Sequence, residues 1–283
     1  MNNINKKITI FMIAYYSNYN IEKIIKKIDK SIKIIIIENS NLLKTKKYFE
    51  DRYSNISVIL CAKNNGVAVA NNIALNMIKT PYALYLDMDV DFDTNIIDQF
   101  INHAERIQDL ALLVPQHHKS KYPKSWEFLP EDKNQDLIRM NKVHGHFAFY
   151  NMQAVKEIGY FDEKIFFYYD ETDFCTRAIK KNYKIYLLRN INVNHIGGAS
   201  YNHKLQKKME GLRQWHLMWG KFYYQKKHFG LLSAYLITLF PFLESIFKMF
   251  CFYFVNKNKF NIHRNKFSGL LNAFLGKTSW KRP

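Results

Sequence analysis

The sequence predicts an α/β fold built around a doubly wound, mostly parallel β-sheet with helices on both faces. Through the first ninety residues, short runs of aliphatic and β-branched residues alternate with amphipathic stretches, an order that is typical of βαβ units. One run, residues 32–40 (IKIIIIENS), is almost continuously apolar, as expected for a strand covered on both faces of a parallel sheet. The 283 residues suffice for one large domain of this class with an appendage.

The predicted elements alternate regularly up to residue 90. Strands are expected where the β-branched runs occur, at residues 7–16, 32–40, 56–62 and 82–90. Helices are expected between them, at residues 20–30, 41–52 and 67–78. The first of these helices has Ile21, Ile24, Ile25 and Ile28 on one face. In a sheet of this kind, ligands bind at the carboxyl ends of the strands.

Beyond residue 90 the pattern is less regular. A helix at 94–108 and strands at 110–114, 142–151 and 183–190 are expected, with a short helix that ends at Gly159. The polar, proline-punctuated segment 115–136 is interpreted as a lid or binding loop. Residues 1–200 are therefore predicted to form one domain, and residues 201–283 a helical appendage.

The cysteines and the N-terminus indicate a reducing compartment. Cys61, Cys175 and Cys251 are widely spaced and odd in number, so neither a disulfide framework nor a structural zinc site is expected. The N-terminal apolar run ITIFMIA is too short for a signal peptide and is interpreted as the first strand. We therefore expect a cytoplasmic protein.

The net charge of +18 is concentrated in the appendage, where residues 201–283 carry 15 lysines and arginines against two acidic residues. The same region holds an apolar, aromatic stretch at 229–254 that is interrupted by Pro241, Glu244 and Lys248. These interruptions disfavour a spanning helix and favour helices lying at an anionic membrane surface. The alternative is that the stretch forms buried core helices or a contact in a homo-oligomer.

Polar side chains gather where the predicted strands end. Glu38 ends the second strand, an NNG sequence follows the third, and Asp87 and Asp89 end the fourth, where strand alternation would place both on the same side. Paired carboxylates beside a substrate phosphate suit Mg²⁺ or Mn²⁺. A fourth group, residues 166–177 (FFYYDETDFCTR), sets acids directly behind four aromatics, with His195 further on. Each group also has a simpler explanation, as a turn, a helix cap, a charged first helical turn or a core histidine.

Taken together, the ordered segments IIIIENSN, NNGVAVANN, LYLDMDVDF and GYFDEKIFFYYDETDFCTR…VNHIGG resemble glycosyltransferase family 2, in particular its bacterial rhamnosyltransferase-like branch. The resemblance runs over roughly residues 7–230. It implies a GT-A fold, a nucleoside-diphosphate sugar donor, Mn²⁺ or Mg²⁺ as cofactor and inversion at the anomeric carbon. It also implies a nucleotide-binding half at about residues 1–90 and an acceptor half at about 91–200.

The resemblance assigns roles to individual residues. For the donor it implies that Glu38 contacts the nucleobase, that the metal and leaving diphosphate lie near Asp89 and His195, and that the remaining nucleotide contacts are Asn64, Gly66, Asn72 and Asp87. Glu171 takes the place of the catalytic base, and the acceptor-side residues are Asp173, Gly145, Tyr168 and Tyr169. Two departures stand out: Glu38 replaces the usual Asp, and DETD replaces the usual EDVD. The second leaves Asp170 as an alternative base, although the alignment favours Glu171.

The expected function is transfer of a sugar, with dTDP-L-rhamnose as a candidate donor, to a growing cell-surface glycan. The basic, apolar tail suggests a polyprenyl-diphosphate-linked acceptor and a place on the inner face of the cytoplasmic membrane. A nucleotidyltransferase is the first alternative, but it predicts a glycine-rich phosphate loop after the first strand, where this chain has AYYSNYN. A nucleic-acid-binding protein fits the basic pI but not the acids at the strand ends, so no nucleic-acid partner is expected.

Overall fold

The computed structural model describes residues 4–16, 18–117, 122–128, 136–195 and 206–283, with the backbone alone at 18–20, 195 and 206–208. The chain divides into two compact units. The sheet unit comprises Met1–Asn65, Ala70–Phe161 and Phe174–Asn202. The helical unit comprises Gly66–Val69, Asp162–Asp173 and His203–Pro283. Two short segments of the first 200 residues thus belong to the helical unit.

The sheet unit alternates strands and helices. Its strands are Ile8–Ala14 (β1), Lys33–Glu38 (β2), Ile56–Leu60 (β3), Tyr82–Leu86 (β4), Val90–Asp91 (β5), Leu110–His117 (β6), Leu137–Arg139 (β7), Phe147–Asn151 (β8) and Lys184–His195 (β9). The helices among them are Ile4–Lys7 (α1), Asn18–Ile25 (α2), Leu43–Glu50 (α3), Val67–Met77 (α4), Ile96–Ala104 (α5), Met152–Ile158 (α6) and Asp170–Lys180 (α7). The first turns of α4 and α7 belong to the helical unit.

The described strands form one mixed sheet in the order β3-β2-β1-β4-β8-β6-β9-β5, with β7 paired to β9. The first four are parallel, and Ile10 of β1 lies opposite Ile34 of β2 and Leu84 of β4. This half confirms the predicted βαβ order. The other half contains β8, which lies antiparallel between β4 and β6. The carboxyl ends of β1, β2, β3 and β4 consequently meet at one edge of the sheet.

The core of the sheet unit explains the apolar runs. In β2, five consecutive residues from Ile34 to Glu38 are buried, as expected for a central parallel strand. Ile21, Ile24, Ile25 and Ile28 of α2 and the turn that follows it pack into the same core. Helix α6 ends at Gly159, as predicted, with a φ of 93° that glycine adopts readily.

Three sequence predictions are corrected by the structure. The strand predicted at 82–90 ends at Leu86, and residues 87–89 form a turn before β5, so strand alternation does not place Asp87 and Asp89 on one side. The strand predicted at 142–151 begins only at Phe147. The segment 115–136 is not all loop, because β6 runs on to His117 and a 3₁₀ turn occupies Lys124–Trp126; its residues 118–121 and 129–135 lie outside the described ranges.

The helical unit is built from Gln206–Phe229 (α8), Leu231–Phe252 (α9) and Lys257–Phe274 (α10), which pack against one another. Trp215 of α8 is fully buried at their centre. Gly269 of α10 allows the close approach there, because a Cβ at that position would lie 2.4 Å from the carbonyl oxygen of Trp215. Some of the aromatic residues of the C-terminal region thus form the core of the helical unit.

Helix α9 leaves most of its apolar surface exposed. It is one continuous helix through Pro241, Glu244 and Lys248, the residues that interrupt the apolar stretch. Its small residues, Ala234, Thr238 and Ser245, are the buried ones. The more exposed side forms a stripe, called here the α9 apolar face: Leu232, Leu236, Leu239, Phe240, Leu243, Phe247 and Phe250, each more than half exposed. The helix has the length and composition to cross a membrane. Only 11% of its most apolar 18-residue stretch is buried, which argues against the alternative that it is a buried core helix.

Candidate active site

Glu38 lies at the edge of the sheet where the parallel strands end. Its side chain is fully buried, and Oε1 accepts hydrogen bonds from the backbone N–H of Ser40 at 2.8 Å and from Ser40 Oγ at 2.5 Å. Oε2 is also buried and makes no hydrogen bond to any described residue. A buried carboxylate oxygen without a partner is costly. The site is therefore suited to a ligand that donates an N–H or O–H to this oxygen.

Neighbouring strands bring further polar groups to the same edge. Asn39 Oδ1 accepts from the backbone N–H of Asn65, at 3.2 Å, which ties the end of β2 to the loop after β3. Burial raises the pKa of Tyr15, at the end of β1, and a hydrogen bond with Asn64 opposes the shift. Burial also raises the pKa of the Cys61 thiol, with a contribution from the charge of Glu38. Tyr15 was not among the predicted site residues, although the strand predicted at 7–16 ends beside it.

Asp87 and Asp89 flank the turn after β4. Asp87 Oδ1 accepts from the backbone N–H of Met88 at 3.0 Å, and Oδ2 lies 3.4 Å from His146 Nδ1. Asp89 is buried, at 4% exposure. Across the short β5–β9 ladder, Val90 lies opposite residue 195, so the backbone of His195 runs next to that of Asp89. The side chain of His195 lies outside the description, so its place beside Asp89 at a metal stays a prediction.

No group of three or more His, Cys, Asp or Glu side chains in the described part of the chain could hold a metal ion alone. Magnesium and manganese commonly take one or two carboxylates and fill their remaining positions with water and substrate phosphate. The oxygen donors of Asp87 and Asp89 fit an ion of this kind, one that is completed by its substrate.

A cluster of histidine and aromatic rings lies beside Asp87. The ring centroid of His146 lies 5.5 Å from that of His117 and 5.7 Å from that of His144. Tyr122 stacks on His144, and Trp126 lies 4.6 Å from the same ring. Gly145, predicted to lie on the acceptor side, is the buried residue between His144 and His146 of this cluster. Because its members come from three separate segments, sequence reasoning did not find the cluster, although the HGH triplet at 144–146 was a signal.

Two residues predicted to contact the nucleotide make structural contacts. Asn72 donates from Nδ2 to the carbonyl oxygen of Phe161 and accepts from its N–H at Oδ1, at 3.0 and 2.9 Å. Gly66 has a φ of 87°, and a Cβ there would lie 2.4 Å from the carbonyl oxygen of Phe166. Both therefore hold the segment that precedes the acids, and a direct nucleotide contact stays a prediction for them.

The acidic segment enters α7 through two strained residues. Tyr168 and Tyr169 have φ values of 61° and 70°, a left-handed conformation that is uncommon outside glycine. Burial raises the pKa of Tyr169 to about 12, and a Cβ added at Gly220 of α8 would lie 2.9 Å from its ring. This close packing within the helical unit fixes the point at which Asp170 begins the helix.

The two candidate bases differ in their surroundings. Asp170 is buried, and its pKa is raised well above the usual range, first by burial and then by the charge of Glu171 and a hydrogen bond to it. Such a shift favours the protonated form of Asp170. Glu171 is only partly buried. The arrangement therefore favours Glu171 as the accessible member of the pair and Asp170 as the buried one that donates a hydrogen bond to it.

Asp173 anchors the acidic segment to α8. It is fully buried, and its Oδ1 lies 2.6 Å from Lys227 Nζ and 2.8 Å from His228 Nε2. Lys227 also binds Asp162, at 2.7 Å, and Asp162 accepts a hydrogen bond from Tyr223. Burial would raise the pKa of Asp162, but these two hydrogen bonds hold it below its usual value. These contacts assign Asp173 a structural role within the helical unit; contact with an acceptor stays a prediction.

The rest of α7 is held by the sheet unit. Arg177 donates to three successive carbonyl oxygens, those of Ile158, Gly159 and Tyr160, at 3.1, 2.6 and 2.8 Å. Phe174 stacks on Phe161 at 5.3 Å. The aromatic and basic residues of the FFYYDETDFCTR motif thus position the helix that carries its acids.

Comparison with known proteins identifies the family. The model of glycosyl transferase family 2 matches residues 9–159, more than half of the chain. The chain belongs to glycosyl transferase family 2. A hexosyltransferase of low-salt glycan biosynthesis, Agl10 of Haloferax volcanii, is 21% identical over 197 residues, which are 63% of each protein. The chain thus spans less than two thirds of that relative.

Solved structures of similar fold include glycosyltransferases with bound donors. The family 2 chain matches the mannosyltransferase PcManGT of Pyrobaculum calidifontis, in complex with GDP-Man and Mn²⁺, with a TM-score of 0.61 and 10% identity over 96% of this chain and 88% of that one. It matches GalNAc-T7 with UDP, GalNAc and Mn²⁺ with a TM-score of 0.56 and 12% identity, over 69% and 44% of the two chains. It matches S. aureus TarS in complex with UDP-GlcNAc with a TM-score of 0.52 and 13% identity, over 96% of this chain and 92% of that one. The fold is therefore the predicted α/β GT-A fold with added C-terminal helices.

Proposed function

We propose that this family 2 protein is an inverting, metal-dependent glycosyltransferase that moves a sugar from a nucleoside diphosphate to a glycan. The observation that carries the proposal is the row of polar groups at one edge of the sheet, with the partnerless buried oxygen of Glu38 at one position and the turn of Asp87 and Asp89 at another. Ligands of parallel α/β sheets bind at this edge. Two proteins of similar fold support the assignment of a nucleotide sugar, one bound to GDP-Man and Mn²⁺ and the other to UDP, GalNAc and Mn²⁺.

In the proposed complex, Glu38 Oε2 accepts a hydrogen bond from the nucleobase or ribose, and Asn64 borders the nucleotide. Asp87 and Asp89 hold the divalent ion, with His195 as a further candidate ligand. The ion supplies positive charge that neutralises the leaving diphosphate. His146, 3.4 Å from Asp87, is placed to orient that carboxylate. The residues proposed to bind the donor and the metal ion therefore all belong to the sheet unit.

The proposed reaction uses Glu171 as general base. Its carboxylate takes the proton of an acceptor hydroxyl, the acceptor oxygen forms a bond to the anomeric carbon, and the bond from that carbon to the diphosphate breaks. The diphosphate leaves with the electron pair, and because the acceptor oxygen attacks from the face opposite the diphosphate in a single displacement, the configuration inverts. Asp170, whose pKa is raised by burial and by the charge of Glu171, donates a hydrogen bond from its protonated form to Glu171 and holds it in place. Tyr168 and Tyr169 are proposed to exclude water and offer faces to the acceptor sugar.

The proposed acceptor is lipid-linked, at the inner face of the cytoplasmic membrane. The α9 apolar face carries this part of the proposal, since large exposed apolar patches mark sites of protein or membrane contact. The two charged residues of α9, Glu244 and Lys248, form an ion pair with each other at 2.5 Å. A polyprenyl-diphosphate-linked glycan would be presented at such a surface. Rhamnose carried by dTDP remains the first donor to test.

Donor binding tests the proposal. Isothermal titration of the purified protein with dTDP-rhamnose and the common UDP-, GDP- and dTDP-sugars is expected to show one donor that binds only with Mn²⁺ or Mg²⁺. Asp89→Asn should abolish the metal-dependent part of that binding. Asp93→Asn is the matched control, because Asp93 is an exposed carboxylate four residues further on. Binding that is equal with and without metal, or equally weakened in both variants, would contradict the assignment.

A further inference from the structure

The helical unit contains a cationic cavity that is lined by none of the acids of α7. Its volume is about 590 Å³, and it lies between the start of α8, the first half of α10 and the C-terminal residues. Four of its lining side chains are cations: Arg213, Arg264, Lys281 and Arg282. Glu210 is the one acidic side chain among the residues that line it. Three asparagines of α10 add amide donors: Asn258, Asn261 and Asn265.

The cations are held close together although they repel one another. Burial lowers the pKa of Lys281, and the charge of Arg264 lowers it further. Lys281 donates a hydrogen bond to Asn265, and Asn265 in turn donates to the carbonyl oxygen of Asn261, at 2.7 Å. Arg213 faces Glu210 at 3.9 Å, which offsets one of the four charges. A concentration of positive charge that the protein itself offsets only in part favours an anionic ligand.

The C-terminal wall of the cavity is fixed in place. His216 of α8 is buried, and its Nε2 lies 2.8 Å from the carbonyl oxygen of Lys281, while its Nδ1 lies 2.9 Å from Ser279 Oγ. Burial lowers the pKa of His216 to about 4, so the ring is neutral at pH 7. The guanidinium of Arg282 stacks over the ring of Phe166 at 4.0 Å. The cations are thus presented on a packed scaffold, which reduces the entropy lost on binding.

A short stretch of chain connects the end of α9 to the cavity. The chain leaves α9 through Tyr253, Phe254 and Val255, which are 60%, 92% and 80% exposed. It then enters α10, whose second residue, Asn258, already lines the cavity. The positive end of the α10 dipole adds to the attraction for an anion there. An apolar stretch followed along the chain by a basic cavity suits a membrane lipid, whose acyl chains are apolar and whose headgroup carries a phosphate.

We propose that this cavity binds the phosphate group of an anionic membrane lipid while the α9 apolar face lies in the bilayer. The inference rests on the membrane placement in the proposed function and adds a specific headgroup site to it. Arg264 and Lys281 bind the phosphate oxygens, and the asparagines of α10 donate further hydrogen bonds. The protein therefore prefers membranes with phosphate-bearing anionic lipids over neutral ones, beyond what its net charge would produce.

Vesicle binding with a matched pair of variants tests the inference. The full chain is sedimented with vesicles of phosphatidylcholine alone, with phosphatidylglycerol added, or with undecaprenyl phosphate added at equal charge. Arg264→Gln combined with Lys281→Gln should weaken binding to either anionic vesicle by about a hundredfold or more, since each hydrogen bond to a charged group contributes about 1.5–3 kcal/mol. The control combines Lys226→Gln and Lys277→Gln, two exposed lysines of the same unit that do not line the cavity, and should change binding by less than about threefold.

Several outcomes would overturn the proposal. Equal losses in both double variants would show that diffuse surface charge is responsible. If inorganic diphosphate raises the melting temperature of the wild type but not of the cavity variant, and anionic vesicles bind both equally, the cavity binds a soluble phosphate instead. Melting temperatures confirm that all variants fold. Donor binding by the same variants is expected to be unchanged, so a failure here is distinguishable from a failure of the proposed glycosyltransferase activity, which wild-type donor titration reports separately.

Discussion

Replacing Glu171 with glutamine is expected to reduce sugar transfer by about 10²- to 10⁴-fold, the usual contribution of a general base. Glutamine keeps the size of the side chain but cannot take the acceptor's proton. Donor binding should be unchanged, because the proposed donor contacts are Glu38, Asn64 and the two strand-end aspartates. Turnover and the donor dissociation constant, measured on the same preparation, separate the two effects.

Asp170→Asn is the matched control for this prediction. Since burial and the adjacent charge of Glu171 raise the pKa of Asp170, asparagine resembles its favoured protonated form, and most of the activity should remain. The unfolded chain ionises this carboxyl near pH 4, whereas the folded chain binds its proton more tightly, so the wild type loses stability relative to the variant as the pH rises above about 4 toward the folded-state pKa. A variant pair in which Asp170→Asn is inactive and Glu171→Gln is active would move the base to Asp170.

Replacing Asp173 with alanine is expected to lower the free energy of unfolding by about 3–5 kcal/mol, as found when one partner of a buried ion pair is removed. The change removes the carboxylate shared by Lys227 and His228, and the side chain of His228 is only 4% exposed. Chemical denaturation followed by circular dichroism gives the value. The segment that carries Glu171 should lose order with it, so turnover should fall as well.

Asp162→Ala provides the comparison for Asp173→Ala. Asp162 binds the same lysine, but its side chain is 16% exposed, so water can replace part of what is lost, and the expected effect is about 1.5–3 kcal/mol. Because the hydrogen bonds to Asp162 lower its pKa, its contribution is present above about pH 4 and is lost as the pH falls through the folded value. A larger loss for Asp162→Ala than for Asp173→Ala at pH 7 would contradict the structural role given to Asp173.

The parallel half of the sheet could be predicted because its elements are local. Each strand of β1–β4 is a short β-branched run, and each intervening helix has its own apolar face, as Ile21, Ile24 and Ile25 show for α2. The antiparallel insertion of β8 between β4 and β6 could not, because it depends on pairing between residues far apart in sequence, such as Leu84 with Phe149. No local pattern distinguishes a parallel from an antiparallel central strand.

The candidate site shows the same limit. Glu38 and the aspartates after β4 were found because they follow apolar runs, and the strand-end rule then brings them together. The turn at 87–89 was missed, since an apolar Met88 and Val90 prolonged the apparent strand. Lys227 and His228 of α8, which hold Asp173 from 54 and 55 positions further along the chain, carry no signal of that role in their own neighbourhood. Contacts of this kind follow only from the folded helical unit.

The central claim is that the chain transfers a sugar from a nucleoside diphosphate. The most direct measurement incubates the wild-type protein and Glu171→Gln with a panel of radiolabelled nucleotide sugars, Mn²⁺ or Mg²⁺, and a membrane lipid extract that contains polyprenyl-diphosphate-linked glycans. We predict metal-dependent transfer of label from one donor to the lipid fraction by the wild type, and none above background by the variant. Absence of transfer and of donor hydrolysis with every donor and metal, from protein that is folded and binds the same vesicles, would contradict the claim.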